Sequence, residues 1–168
     1  MQHDLWNHLT AKEFDDWKWQ EKHAATRLQD IERLVGDRID GGVVQDLARG
    51  IQVSGMSVRI TPYLMALIDW DNFVGDPIRR QFLPLASEME ADHPLLSLDS
   101  LNEQEDSPVP GLVHRYPTKV LLLATQACPV YCQFCTRSYA IGLDMLLPPK
   151  DRAGQVVGFA WMNCLGDW

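Results

Sequence analysis

Three of the four cysteines in this 168-residue chain lie close together, at Cys128, Cys132 and Cys135, in the stretch ATQACPVYCQFCTRSYAIG. Their spacing is C-x3-C-x2-C. In a reducing compartment, clustered cysteines are more often metal ligands or redox groups than structural disulfides. This segment is therefore the first candidate for chemistry.

Three interpretations of the spacing stay open. Positions i, i+4 and i+7 share one helix face, so the cysteines could be small apolar core residues, although Pro129 favours a loop start. A structural zinc site needs four ligands, and Cys164 or a histidine would have to supply the fourth. An iron–sulfur cubane held by three thiolates would leave one iron open to a substrate or cofactor.

A strand is predicted immediately before the cysteines. KVLLLAT, residues 119–125, is a continuous apolar run, typical of a buried strand in a parallel sheet. Ligands in α/β proteins gather at the carboxyl ends of such strands, where these cysteines follow. The predicted fold class is α/β, a helical N-terminal region followed by a β/α unit.

The N-terminal region is predicted to begin with one long helix over residues 1–35, with a capping box at Thr10 and Glu13 and a stop at Gly36. Residues 91–111 are acidic and contain prolines, which predicts an extended connection. Further helices are predicted from Gly41-Gly42 to near Gly50, from Thr61-Pro62, and from Asp76-Pro77 with a break at Pro84.

The composition is that of one globular domain, with 46% hydrophobic and 23% charged residues. A net charge of −8 argues against non-specific binding of nucleic acid, which needs excess lysine and arginine. No run of eighteen apolar residues and no apolar signal-peptide core are present, so we expect no membrane span and a cytoplasmic location.

With Phe134 just before its last cysteine, the cysteine motif resembles the signature of radical S-adenosylmethionine enzymes. Flanking segments closely resemble the lysine 2,3-aminomutase family from about residue 5 to Gly142. Several separate motifs in the same order argue against chance. They are FDDWKWQ, ITPYLMALID, DPIRRQFLP, EDSPVPGLVHRYPTKVLLLAT and CTRSYAIG.

The resemblance implies a reduced [4Fe–4S] cluster that cleaves S-adenosylmethionine to a 5′-deoxyadenosyl radical. An amino group then migrates between adjacent carbons of an amino acid held on pyridoxal 5′-phosphate. The cofactors carry this chemistry, and the protein supplies placement and exclusion of water. Cys128, Cys132 and Cys135 would be the cluster ligands, and Phe134 would lie beside the adenine. Arg137 would contact the bound cofactors, or else pair with a carboxylate.

The segment HRYPTK implies a second cofactor site. Arg115, Tyr116 and Lys119 would help to hold pyridoxal phosphate, with the Tyr116 ring against the pyridine. A guanidinium grips phosphate bidentately and an ammonium acts as a point charge, so Lys119, where relatives often have arginine, would weaken the grip. The alternative is that Arg115 and Lys119 form surface ion pairs with the preceding acidic stretch.

After Gly142 the resemblance ends. The predicted organisation is a helical region with an extended connection at 1–110, the start of a radical S-adenosylmethionine partial TIM-type barrel with the cluster loop at 111–142, and a divergent tail at 143–168. A full barrel needs roughly 250 residues, so we expect an incomplete one. No lysine stands in a context like that of the lysine that carries pyridoxal phosphate. No catalytic residue is therefore identified, and we expect the chain alone to be inactive.

The substrate stays open, because relatives use free lysine, glutamate or a lysine on a protein such as an elongation factor. The full-length form could be a homo-oligomer. Two alternatives to an aminomutase remain: a non-catalytic remnant, and a small cytoplasmic iron–sulfur or zinc-binding interaction protein. Iron and sulfide content separates the zinc protein from the others, and radical formation separates the enzyme from a remnant.

Overall fold

The structure, a computed structural model, describes residues 4–123 and 127–141. Within them, the helices belong to one compact unit and the strands to another, so the predicted mixed α/β class is confirmed at this level. The barrel stays a prediction. The helical unit contains residues 4–92 and Pro129–Cys135, and the hairpin unit contains residues 93–123, 127–128 and 136–141.

Residues 4–35 form three short α-helices, so the single long helix predicted there is wrong. Separate caps divide the first two helices. Thr10 and Glu13 form the predicted capping box, and the Asp16 carboxylate accepts a hydrogen bond from the Lys18 amide. The helices are α1 Ala11–Phe14, α2 Trp17–Lys22 and α3 Leu28–Val35, after a 3-10 turn at Asp4–Trp6.

A long-range backbone contact separates α2 from α3. Ala25 donates to the Ile60 carbonyl at 2.9 Å and accepts from the Ile60 amide at 3.0 Å. Backbone groups used in this bridge are not available to continue a helix. Helix α3 ends at Val35, and Gly36 follows with φ of +58°, which confirms the predicted stop.

The later helices begin where the sequence predicts. The Thr61 and Asp76 side chains accept hydrogen bonds from first-turn amides, and a proline follows each of them at the first helical position. Asp40 caps the helix that opens at the glycine pair, which runs three residues beyond its predicted end near Gly50. These helices are α4 Gly41–Val53, α5 Pro62–Met65 and α6 Pro77–Phe82, with 3-10 turns at Gly36–Arg38 and Ala86–Glu88.

One apolar core joins the elements of the helical unit. Aromatic side chains contribute much of it, and the Trp70 indole N–H donates to the Met65 carbonyl at 2.9 Å, so its polar atom is satisfied. The buried side chains are Trp6, Phe14, Ala25, Ile31, Val35, Ile39, Leu47, Val58, Ile60, Met65, Ile68, Trp70, Phe73, Phe82, Leu83 and Leu85.

Arg79 is a charged residue inside this unit, with 1% of its surface exposed. Its guanidinium donates to the Phe73 carbonyl at 2.9 Å, to the Leu83 carbonyl at 3.4 Å, and to the Val74 carbonyl. It also grips the Glu88 carboxylate at 2.7 and 3.2 Å. The side chain therefore ties α6 to the turn before it and to the 3-10 turn after it.

Glu88 makes the stability of the fold depend on acidity. Hydrogen bonds from Arg79 hold the pKa of the Glu88 carboxyl below its ordinary value of 4.5. A carboxyl group whose pKa is lower in the folded than in the unfolded protein stabilises the fold at a pH above its unfolded-state pKa. This stabilisation is lost as the pH falls through the folded-state pKa. In Glu88→Gln, we expect the free energy of unfolding to fall less steeply as the pH drops below 4.5. Urea titrations at a series of pH values measure this dependence. Glu90→Gln removes an exposed carboxylate near this ion pair and is the matched control, and equal flattening in both variants would contradict the assignment to Glu88.

Gly50 allows α4 to approach the segment that follows α6. A Cβ at this position would lie 2.8 Å from the Pro84 carbonyl carbon and closer still to its oxygen. We expect Gly50→Ala to destabilise the fold by about 1–3 kcal/mol, because backbone must shift, despite the better helix propensity of alanine. Gly41→Ala in the same helix meets nothing within 4 Å and should be neutral or stabilising. Equal urea midpoints for the two variants would contradict this account.

The hairpin unit contains strands β1 Leu112–Tyr116 and β2 Lys119–Leu122, paired antiparallel. All four β2 residues are exposed, so the prediction of a buried, parallel strand is wrong for the described residues. Only two residues separate the strands, a length that joins antiparallel but not parallel neighbours. Across residues 4–123 and 127–141, no helix has the length and apolarity to span a membrane.

Candidate functional site

The three cysteines of the motif are half-buried thiols on a loop. Residues 127–135 contain bends and turns and no helix, which excludes the helix-face interpretation and agrees with the effect predicted for Pro129. Cys128 belongs to the hairpin unit, and Cys132 and Cys135 belong to the helical unit. The Cys135 amide donates to the Cys132 carbonyl at 3.2 Å, so the last two cysteines lie on one turn.

The helical unit holds this turn by backbone and side-chain contacts. The Tyr131 amide donates to the Arg59 carbonyl at 2.9 Å, and the Gln133 amide donates to the Gln81 carbonyl at 2.8 Å. Cys132 packs at the edge of the apolar core. The position of the turn is therefore set by residues at least fifty places earlier in the chain.

The donor set fits an iron–sulfur cluster by type, because three half-buried thiols can supply three thiolate ligands. Within the described part of the chain, no three histidine, cysteine, aspartate or glutamate side chains are grouped closely enough to hold a metal ion. This finding covers the three cysteines of the motif as well as a four-ligand zinc site, so neither site is pre-formed among the same residues. Cys164, the other candidate zinc ligand, lies outside them.

Phe134 is 65% exposed, whereas the cysteines on either side of it are half-buried. An exposed aromatic ring between two cysteines is available to stack on a flat ligand. This exposure is compatible with the role predicted for Phe134 beside an adenine, which stays a prediction.

A second group of predicted residues lies at the end of the β hairpin. The Lys119 ammonium lies 4.8 Å from the centroid of the exposed Tyr116 ring, and Arg115 donates to the Leu101 carbonyl at 3.0 Å. Among the described residues neither cation forms an ion pair, so the alternative of pairing with the acidic stretch is wrong there. The exposed Lys119 ammonium over an aromatic ring suits a ligand that combines phosphate with a flat ring, whereas the contact described for Arg115 is with Leu101.

Arg137 pairs with a carboxylate. It donates to both Glu103 oxygens, from Nε at 2.9 Å and from a terminal nitrogen at 2.7 Å, and the Tyr139 hydroxyl donates to Glu103 at 2.9 Å. Of the two roles predicted for Arg137, the described contacts support the pairing with a carboxylate. Glu103 is 4% exposed and was not predicted. It stands 34 residues before Arg137 in an acidic stretch without a periodic pattern, so no sequence signal marked it.

Burial and the hydrogen bond to Glu103 raise the pKa of the Tyr139 phenol above its ordinary range. A nearby carboxylate disfavours the tyrosinate, so removing its charge must lower this pKa. We expect Glu103→Gln to shift the Tyr139 titration to lower pH, measured from tyrosinate absorbance near 295 nm with a Tyr139→Phe difference. Glu105→Gln removes an equal charge at an exposed position and should not shift it. Equal shifts in both variants would contradict a direct interaction.

The contacts of the lysines among the described residues identify none of them as a catalytic base or a carrier of pyridoxal phosphate. Lys119 lies at the hairpin, and Lys150 falls outside the described residues. The sequence identified no catalytic residue, and the described contacts add no candidate.

Comparison with known proteins relates the chain to aminomutases, although no protein-family model matches it. It is 35% identical to the L-lysine 2,3-aminomutase of Bacillus subtilis and 39% identical to that of Fusobacterium nucleatum. These matches cover 93% and 90% of the chain, so they extend past Gly142, where the sequence motifs alone predicted that the resemblance ends. They cover 32% and 34% of the relatives, so the chain spans about a third of their length. It is also 26% identical to the glutamate 2,3-aminomutase of Clostridioides difficile, over 79% of the chain.

Proposed function

Because the chain belongs to the lysine 2,3-aminomutase family, we propose that it is the cluster-binding portion of a radical S-adenosylmethionine aminomutase. The reaction would move an amino group between adjacent carbons of lysine or a related amino acid, an isomerisation. This proposal concerns a protein of the length of the relatives. For the 168-residue chain itself, we propose cluster binding without turnover.

The cysteine motif carries the proposal. The match with the Bacillus subtilis enzyme covers 93% of the chain, and Cys135 lies 33 residues from the C-terminal residue, so the motif falls inside the match. Cys128, Cys132 and Cys135 would each bind one iron of a [4Fe–4S] cluster through sulfur. The cluster, when bound, would supply the electron for reductive cleavage of S-adenosylmethionine.

Residues beside the motif would hold the bound nucleoside. The exposed Phe134 ring would cover one face of the adenine and keep water from it. Arg137, whose guanidinium is aligned by two hydrogen bonds to Glu103, would present its remaining surface to the bound cofactors. The buried carboxylate keeps this long side chain in one orientation, which reduces the entropy lost on binding.

The hairpin residues would hold pyridoxal phosphate. Arg115 and Lys119 supply positive charge for the phosphate, and the Tyr116 ring supplies an apolar surface for the pyridine. The Lys119 ammonium already lies over the Tyr116 ring, so phosphate binding would draw it away from a cation–π contact. We therefore propose a weaker site than one with arginine at position 119. The beginning of a barrel at residues 111–142 is proposed on the same family basis.

Anaerobic reconstitution with iron and sulfide tests the proposal. We expect about four iron atoms and four sulfides per chain, and a reduced-cluster electron paramagnetic resonance signal that changes when S-adenosylmethionine is added. Release of 5′-deoxyadenosine would extend this to radical chemistry. Binding of zinc in place of iron, or a cluster signal that S-adenosylmethionine leaves unchanged, would contradict the proposal and favour a zinc-binding or plain iron–sulfur protein.

A further inference from the structure

Gln133, between the last two cysteines, is fastened to two helices of its own unit. Its backbone N–H donates to the Gln81 carbonyl at 2.8 Å, and its side-chain Nε2 donates to the Phe82 carbonyl at 3.4 Å. Both carbonyls belong to α6. Its Oε1 accepts from the Ser54 hydroxyl at 2.7 Å, at the C-terminal cap of α4. One residue of the cysteine turn thus reaches the ends of both helices.

Neighbouring contacts hold the same turn from other sides. Val130 and Cys132 pack against the apolar core, and the Tyr131 amide donates to the Arg59 carbonyl. The Ser54 hydroxyl that donates to Gln133 also accepts from the Met56 amide at 3.2 Å, which fixes its direction. None of these contacts involves a metal ion, so they can form in the iron-free chain.

We propose that Gln133 and Ser54 are positioning residues, which hold the Cys132–Cys135 turn on the helical unit so that two cluster ligands are pre-arranged. That the turn binds an iron–sulfur cluster rests on the proposed function, whereas the docking of the turn on the helical unit rests on the contacts above. A neutral amide suits this position because it both donates and accepts, and adds no charge beside the thiolates. Ordering the turn in advance reduces the entropy lost when the cluster forms.

Gln133→Ala and Ser54→Ala test the proposal with two readouts besides activity. In the iron-free chain, we expect hydrogen exchange in the peptide covering residues 129–135 to be about 5- to 30-fold faster, the factor for losing one or two interactions of this kind. In the reconstituted chain, iron release to a chelator should accelerate by a similar factor. Ser54→Thr keeps the hydroxyl and should restore both values.

Matched controls are Gln52→Ala and Ser57→Ala, the same substitutions at exposed positions beside Ser54. Both should exchange and release iron as the unaltered chain does. If the unaltered chain binds a cluster and the Gln133 and Ser54 variants match it in both readouts, the inference is overturned while the proposed function stands. If no form binds iron, the proposed function fails and exchange alone decides: faster exchange in the two variants supports the docking, and unchanged exchange overturns it.

Discussion

Replacing Cys128, Cys132 or Cys135 with alanine is expected to reduce iron and sulfide after reconstitution from about four of each per chain to less than about one. Each thiolate is the sole protein ligand of one iron in the proposed arrangement. Among the described residues no three histidine, cysteine, aspartate or glutamate side chains form a group that could hold a metal, so no alternative set of ligands is in place. The measurement is iron and sulfide content per chain, with circular dichroism to compare folding.

Cys164→Ala is the matched control for these variants, since it removes the fourth thiol of the chain. It should retain full iron and sulfide and an unchanged spectrum. A cysteine of the motif that can be removed without loss of iron is not a ligand. Loss of metal in Cys164→Ala would indicate a site with four thiolates and would return the zinc interpretation to consideration.

Arg79→Ala is expected to lower the free energy of unfolding by about 3–5 kcal/mol. The variant leaves the Glu88 carboxylate without its bidentate donor and removes the hydrogen bonds to the carbonyls of Phe73, Val74 and Leu83. The Phe73 and Leu83 carbonyls belong to buried residues, so losing their donor costs most, whereas water can reach the Glu88 carboxylate. Domains of ordinary size have about 5–15 kcal/mol in total, so the loss is a large share. Urea denaturation measures it.

Arg80→Ala is the matched control, because Arg80 also pairs with Glu88, at 3.2 Å, but its side chain is 59% exposed. Exposed ion pairs contribute about 0–1 kcal/mol, so the urea midpoint should change little. Arg79→Lys keeps the charge and loses the planar fork that reaches several acceptors, so we expect only partial recovery. Equal losses for Arg79→Ala and Arg80→Ala would show that burial does not determine the effect.

The local elements of this protein were predictable from short patterns. Thr61 with Pro62 and Asp76 with Pro77 marked two helix starts correctly, and Gly36 marked a stop, because each signal acts within one helical turn. The mixed α/β class and the aminomutase family were likewise recognised from the chain alone. The cysteine spacing predicted the proposed ligands for a similar reason, since all three cysteines lie within a separation of seven residues along the chain.

Other features depended on contacts between distant parts of the chain. The break between α2 and α3 comes from Ala25 bonding to Ile60, and the apolar run in β2 proved exposed because its described neighbour is a single antiparallel strand. A periodic pattern records which face of an element is apolar but does not record what covers that face.

The sequence alone determined which residues are predicted to do chemistry, namely the cysteine motif and the cations near it. The tertiary structure decided what holds them: Glu103 grips Arg137 from 34 residues away, and Gln133 docks on Ser54 across 79 residues. Hydrogen bonds between residues so far apart in the sequence form only when the core brings the partners together. A single glutamate or serine has no spacing pattern that predicts its partner. The proposed ligands could therefore be predicted from a local pattern, whereas the contacts that hold the residues around them depend on the fold.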